Sequence, residues 1–209
     1  IWLLGACFVL LSSLSAVLWR TRGLIKMEEA VMQGRTDALQ KVANHDSLTG
    51  LPNRLLLHDR LGQAIASSNR NKTHFALCFI DLDGFKPVND NYGHDTGDFV
   101  LKEVGERLTA CVRENDTVAR LGGDEFVVIL VDIDANADLN ATLDRILASI
   151  KKPIAIPEGV DVAINLSMGV TIFPEDSGGP DELLNHADEA MYVAKKRGQG
   201  YYSFYHHTS

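Results

Sequence analysis

Basic residues are the minority charge in this 209-residue chain: 20 Lys and Arg stand against 28 Asp and Glu, for a formal net charge of -8 at pH 7. Nucleic-acid backbones are held mainly by Lys and Arg that neutralise phosphates, so this balance excludes nucleic acid as a partner. An anionic ligand would need a metal or a local basic cluster. Cysteine is scarce too. Cys7, Cys78 and Cys111 are odd in number and lack CxxC spacing, which excludes a disulfide framework and leaves no zinc signature. Internal repeats and low-complexity tracts are missing. What remains is an ordinary globular mixture, 45% hydrophobic and 23% charged. It predicts a buried core, and the length suits one domain of about 150 residues plus an attachment.

The attachment is at the start. Residues 1–19 carry no charge, and at about 1.5 Å rise per residue such a helix crosses most of a hydrocarbon core of about 30 Å. Trp2 and Trp19 near its ends, followed by Arg20, Arg22 and Lys26, predict a transmembrane helix with everything downstream in the cytoplasm. A signal peptide is the alternative, but the chain opens at Ile1 with no basic start and no small-residue cleavage site, and reads as the tail of something longer. Residues 20–44 read as a linker helix. Apolar side chains return every seven residues at Leu24, Val31, Ala38 and at Ile25, Met32, Leu39, the pattern of a short two-stranded coiled coil or of a solvated helix.

Downstream, strand-like and helix-like stretches alternate. Residues 74–82 form an apolar β-rich run suited to a buried central strand. Residues 97–112 carry apolar side chains at helical spacing. Residues 118–121 and 126–131 flank Gly122-Gly123-Asp124-Glu125 as a β-hairpin. Further helices are expected at 135–150 and 181–196, a strand at 160–173 after a break near Pro157, and a short edge strand at 201–205. The expected class is α/β (α+β), a central mixed sheet flanked by helices.

Acidic residues supply the chemistry. Asp81 and Asp83 end the first strand two residues apart, so both leave the same face and suit a hard cation, though Asp-x-Asp also caps turns. Asp124 and Glu125 follow two glycines at a hairpin turn. If the two strands are neighbours, the pairs converge in the manner of a metal-assisted phosphoryl-transfer site.

Arg120-Leu121-Gly122-Gly123-Asp124-Glu125-Phe126 resembles the signature of the GGDEF family, the diguanylate cyclases that make cyclic di-GMP. Asp46-Ser47-Leu48-Thr49-Gly50-Leu51-Pro52-Asn53-Arg54 resembles the family's opening segment, residues 79–86 its metal strand, residues 89–98 its guanine-binding stretch, and residues 187–195 its last helix. Five segments in order make the likeness specific across residues 45–206.

The resemblance implies a nucleotidyl cyclase or polymerase-palm type of fold for residues 45–206. It also implies the condensation of two GTP into cyclic di-GMP and two pyrophosphates by a homodimer. Asp81, the Leu82 carbonyl and Asp124 or Glu125 would hold Mg2+, with Mn2+ as a substitute. Asp124 or Glu125 would serve as general base, the choice between base and ligand staying open. Gly122 and Gly123 would let the backbone approach substrate, Asn89 and Asp98 would read guanine, and Lys86 and Lys195 would meet phosphates. Arg113 and Asp116, with Arg113 nine residues ahead of Gly122, match the family's inhibitory Arg-x-x-Asp site for the product. One departure is Gln199, where many relatives carry a phosphate-facing Arg; Arg197 is the nearest substitute. A bacterial inner-membrane cyclase is the expectation, with a catalytically silent GTP or cyclic di-GMP receptor as the alternative. The Tyr-Tyr-Ser-Phe-Tyr ending resembles a junction to a following phosphodiesterase domain.

Overall fold

The structure is a computed structural model that describes residues 42–133, 136–157 and 159–206, together with the single positions 19 and 32, and only the backbone of 136–138. The chain divides into two units, Ile1–Ala43 and Asn44–Ser209. The membrane helix expected at 1–19 and the linker expected at 20–44 lie almost wholly outside the described residues. Among the described residues no helix is long and apolar enough to cross a membrane.

In the second unit, β1 (Phe75–Asp83) is buried along its whole length except at Asp81. It runs through the middle of a five-stranded sheet made with β2 (Thr117–Gly122), β3 (Glu125–Leu130), β6 (Asn165–Phe173) and β7 (Tyr202–Phe204), in the order β2-β3-β1-β6-β7. All pairings are antiparallel except β6 with β7, which is parallel. The sheet is therefore mixed, as expected. Between the strands lie α1 (Arg54–Asn71), α2 (Phe85–Tyr92), α3 (His94–Ala110), α4 (Asn136–Ile150) and α5 (Pro180–Arg197).

Side chains alternate along β1 between two faces, and each face meets its own set of helices. Ala76, Cys78, Ile80 and Leu82 join Val100, Val104 and Leu108 of α3 and Leu143 and Ile146 of α4. Phe75, Leu77 and Phe79 join Leu57 and Leu61 of α1 and Leu183, Ala187 and Met191 of α5. Each fully buried Leu or Phe contributes about 1.5–3 kcal/mol by leaving water. The alternation decides where the chemistry goes, because Asp81 and Asp83 share the parity of Phe79 and so emerge on the α1/α5 face.

Three elements depart from expectation. Helix α1 has no counterpart in the sequence reading. Its inner stripe is only Leu57, Leu61, Ala64 and Ser68, a thin apolar signal, and its start is set instead by Asn53, whose side chain accepts from the Leu55 and Leu56 N–H groups at 3.0 and 3.1 Å. The stretch around Asn89, rich in turn-forming residues and assigned no element from the sequence, is helical: α2 and α3 are separated by Gly93 alone, at φ 85 and ψ 167. The strand expected over 160–173 is split. Asp161–Val162 (β5) pairs with Ile154–Ala155 (β4) in a separate ribbon, and β6 starts afresh at Asn165.

Helix α5 lies unusually close to β6. A Cβ at Gly169 would sit 1.9 Å from the Ala187 carbonyl oxygen and 2.2 Å from the Met191 nitrogen, so only glycine admits that approach. Near its start α5 is held by His186, whose Nδ1 lies 2.8 Å from Asp176 Oδ2 and whose ring stacks on Tyr205 at 4.2 Å. Gly169→Ala is expected to lower stability by about 3 kcal/mol in urea titration, since backbone must move to admit the methyl. Gly62→Ala in α1, where an added Cβ meets nothing within 4 Å, is expected to raise stability by about 0.5–1 kcal/mol.

Candidate active site

The two acidic pairs are neighbours. In the antiparallel pairing of β1 with β3, Asp81 stands directly across from Glu125. The turn between β2 and β3 places Gly123 at φ 53, the positive value that a two-residue hairpin demands of its first central residue. Asp124 follows it, its carbonyl accepting from the Leu82 N–H at 3.3 Å. Asp81, Leu82, Gly122, Gly123, Asp124 and Glu125 thus gather at one end of the sheet. Asp83 is drawn off: it is buried, and Ser167 Oγ donates to its two oxygens at 3.1 and 2.9 Å.

The cluster is crowded with like charge. Burial pushes the Asp124 carboxyl above its usual range; its own backbone hydrogen bond opposes this and the Asp81 charge adds to it. Burial does the same to Glu125, where Arg54 opposes the shift and Asp188, Asp124 and Asp81 reinforce it. Relief comes from α5. Lys195 Nζ donates to Asp81 Oδ1 at 2.6 Å, and this bond, together with the charges of Asp81, Asp83 and Asp124, raises the lysine pKa against the opposing effect of burial. Lys195, expected at a phosphate, thus stands as a counter-ion within the acidic cluster. Arg54 and Asp188 are contributors that sequence reasoning did not single out.

Another residue not singled out holds the turn in place. Arg120 is buried, and its guanidinium donates to the Gly123 carbonyl from Nε at 3.2 Å and Nη2 at 2.8 Å. Its Nη1 donates to Asp46 Oδ1, also at 2.8 Å. Asp46 further accepts from the Thr49 N–H and hydroxyl at 2.9 and 2.7 Å, and the Arg120 N–H donates to the Pro52 carbonyl at 2.9 Å. The opening Asp-x-x-Thr segment and the Gly-Gly turn are one fastened unit. Burial works to raise the Asp46 pKa, but the hydrogen bonds from Thr49 and Arg120 outweigh it and leave the carboxyl below its ordinary 3.8.

The residues expected to read guanine lie on facing helices. Asn89 is in the last turn of α2 and Asp98 in the first turns of α3. The Asn89 amide makes no side-chain hydrogen bond among the described residues and packs over Gly97. Lys86, exposed in the first turn of α2, also has no ion partner there. Gly84, ahead of α2, offers no side-chain cap, so the first N–H groups of that helix are open to an anion beside Asp81. Gln199 and Arg197 are exposed at the end of α5.

Arg113 and Asp116 sit apart from the acidic cluster, in the connection between α3 and β2. Asp116 accepts from the Arg113 N–H at 2.8 Å and the Val131 N–H at 3.0 Å, which sets the loop. With Asp132 and Arg145 they line a small cleft of about 80 Å³. Arg145 donates to the Cys111 carbonyl from Nε and Nη2 at 3.1 and 2.8 Å and adds a second guanidinium there; nothing local in the sequence marks it.

Among the described residues no three Asp, Glu, His or Cys side chains close around one point as a ready metal centre. The donors nonetheless suit a hard divalent ion. They are all oxygen, partly desolvated and held together against their own repulsion, a state that positive charge relieves.

Comparison with known proteins places these features in company. The family described as "Diguanylate cyclase, GGDEF domain" matches residues 43–201. Diguanylate cyclase TpbB of Pseudomonas aeruginosa is 42% identical over 172 residues, 82% of this chain and 40% of that protein. The bifunctional diguanylate cyclase/cyclic di-GMP phosphodiesterase MucR of the same species is 47% identical over 167 residues, 80% of this chain and 24% of that protein. The chain thus spans less than half the length of these curated relatives. Among solved structures, the TpbB GGDEF domain superposes with a TM-score of 0.73 at 40% identity, covering 76% of this chain and 98% of that one. The coiled coil and GGDEF domain of DgcB from Caulobacter crescentus, in complex with c-di-GMP, gives 0.81 at 27% identity, covering 92% and 99%.

The Asp46–Arg120 contact generates a pH-dependent expectation. A carboxyl whose folded pKa is depressed stabilises the fold at pH above its unfolded value and ceases to as pH falls through the folded one. Asp46→Asn should therefore cost about 2–3 kcal/mol in urea unfolding near neutrality. The gap between the two proteins should shrink as the pH drops below 3.8, and a pH-independent gap would contradict the assignment.

Proposed function

The chain belongs to the GGDEF family of diguanylate cyclase domains, and from that premise we propose that it condenses two GTP into cyclic di-GMP as a homodimer, each domain holding one nucleotide. The observation that carries this reading is the convergence of Asp81, Asp124 and Glu125 on one strand end, with Lys195 among them and the uncapped start of α2 beside them. Each 3'-hydroxyl attacks the α-phosphorus of the other nucleotide, and two pyrophosphates leave. Two-fold facing domains suit a two-fold product.

Mg2+, with Mn2+ as a substitute, would be held by Asp81, the Leu82 carbonyl and Asp124 or Glu125. When bound it polarises phosphoryl oxygens and lowers the pKa of the attacking hydroxyl. The chain's own residues do the rest. Asp124 or Glu125 accepts the hydroxyl proton, a task helped by the upward shift of both carboxyls. Lys195 and Lys86 offer positive charge to the triphosphate, and the first N–H groups of α2 add fixed donors. Asp98 accepts from guanine N–H groups and Asn89 pairs with its remaining edge, so adenine would leave buried partners unsatisfied. Gln199 removes one cation from the phosphate end, which leaves more of that task to Lys195.

Product feedback is part of the proposal: Arg113, joined by Arg145, would hold guanine and phosphate of cyclic di-GMP, with Asp116 at the base edge. So is the setting, for the uncharged residues 1–19 and the basic residues after them support an inner-membrane anchor with the catalytic domain in the cytoplasm. A linker coil at residues 20–44 would raise the local concentration of the partner domain.

Two measurements test this. Purified protein given GTP and Mg2+ should yield one cyclic di-GMP per two pyrophosphates, and Asp124→Ala or Glu125→Ala should lower kcat about a hundredfold or more. Nucleotide binding without product, even at high protein concentration, would point instead to a silent receptor. Arg113→Ala should raise the product concentration needed for half inhibition about tenfold, from the loss of a charge-assisted bidentate contact. Undiminished inhibition relative to the initial rate would remove the product site from that loop.

A further inference from the structure

We propose that Gly97 is a specificity-determining position: the missing side chain there makes the space in which the Asn89 amide lies, and so keeps that amide aimed at the base. The inference rests on the reading of Asn89 as a guanine-recognising residue and goes beyond it.

The local sequence argues against a glycine. Gly97 is buried in the first turns of α3 with its N–H bonded to the Gly93 carbonyl at 3.2 Å, and its backbone needs no positive φ. At such a helical position alanine is better than glycine by about 0.5–1 kcal/mol. What an alanine would meet explains the choice. An added Cβ would lie 1.9 Å from Asn89 Oδ1, 2.9 Å from Asn89 Cγ and 3.3 Å from Phe85 Cζ. No backbone outside the helix stands in the way of the methyl; the main obstruction is the end of the Asn89 side chain, with the Phe85 ring a second, milder one. Phe85 is buried beneath and closes the nearest way down. An alanine would therefore be accommodated by rotating the Asn89 amide out of its place, leaving the fold intact and the base unread on that edge. Asp98, the next residue in α3, stays exposed and would be left to recognise guanine alone.

The test is a double-mutant cycle on the whole chain. Gly97→Ala, Asn89→Ala and the double variant are titrated calorimetrically, in Mg2+, with α,β-methylene analogues of GTP and ATP, and their thermal midpoints are recorded. Gly97→Ala should weaken the guanosine analogue about tenfold, the scale of one lost hydrogen bond in a desolvated site. It should leave adenosine-analogue binding unchanged, so that discrimination falls. Asn89→Ala should show a similar loss, and the double variant should bind no more weakly than Asn89→Ala alone. Wild-type binding by Gly97→Ala, equal weakening of both analogues, or losses that multiply in the double variant would each overturn the proposal. If Gly97→Ala fails to fold, recovery in the double variant supports the steric link to Asn89, whereas failure of both overturns it. Guanosine binding undiminished in Asn89→Ala would instead overturn the reading of Asn89 itself; a loss there with none in Gly97→Ala would overturn Gly97 alone.

Discussion

The register of β1 against β3 sets Asp81 across from Glu125, and everything at the site follows from having to hold these carboxylates, with Asp124, side by side. A slip of one residue would turn Asp81 into the α3/α4 core and bring Leu82 out in its place. Burial raises the carboxyls of Asp124 and Glu125, and the repulsion that the correct register creates adds to it. It is tolerated because α5 delivers an ammonium to Asp81, and α5 can do so because Gly169 admits it close to the sheet. A close backbone contact between helix and strand thus helps set the electrostatics of the strand end.

The turn that carries Asp124 is not self-sufficient either. A hairpin with two glycines has few side-chain contacts of its own, and here its carbonyl at Gly123 is grasped by Arg120, which is held in turn by Asp46. The same guanidinium therefore couples the position of the acidic pair to the start of the domain. Any displacement of the Asp-x-x-Thr segment is felt at Gly123 through two hydrogen-bonded steps.

How much of this was legible in the sequence depended on the range of the interaction. β1 and β3 were readable because continuous apolar runs mark central strands, and α3, α4 and α5 because their apolar spacing is regular. Helix α1 was not, since its stripe ends in Ser68 and its start depends on one Asn cap. Helix α2 was not, since Asn, Asp, Asn and Gly read as a turn until packing by Phe85 and Val88 is included. The acids of the site were visible as residue types, and the family resemblance added Asn89 and Asp98. Partners distant in sequence were invisible. Arg120 meets Asp46 across 74 residues, Lys195 meets Asp81 across 114, and Arg145 faces the Arg113 loop from another helix; no periodicity encodes such pairs.

Asn89 and Asp98 ride on separate helices, and one residue, Gly93, joins them. The two helices stand like the jaws of a pair of calipers about that residue. Each jaw is a run of helical hydrogen bonds, and its inner side is locked into the core, through Phe85 and Val88 on one helix and Val100 and Val104 on the other. The spacing of Asn89 from Asp98 is therefore set by the same packed interior that backs Ile80 and Leu82 of β1, and a substitution in that interior would be felt at both ends of the cleft.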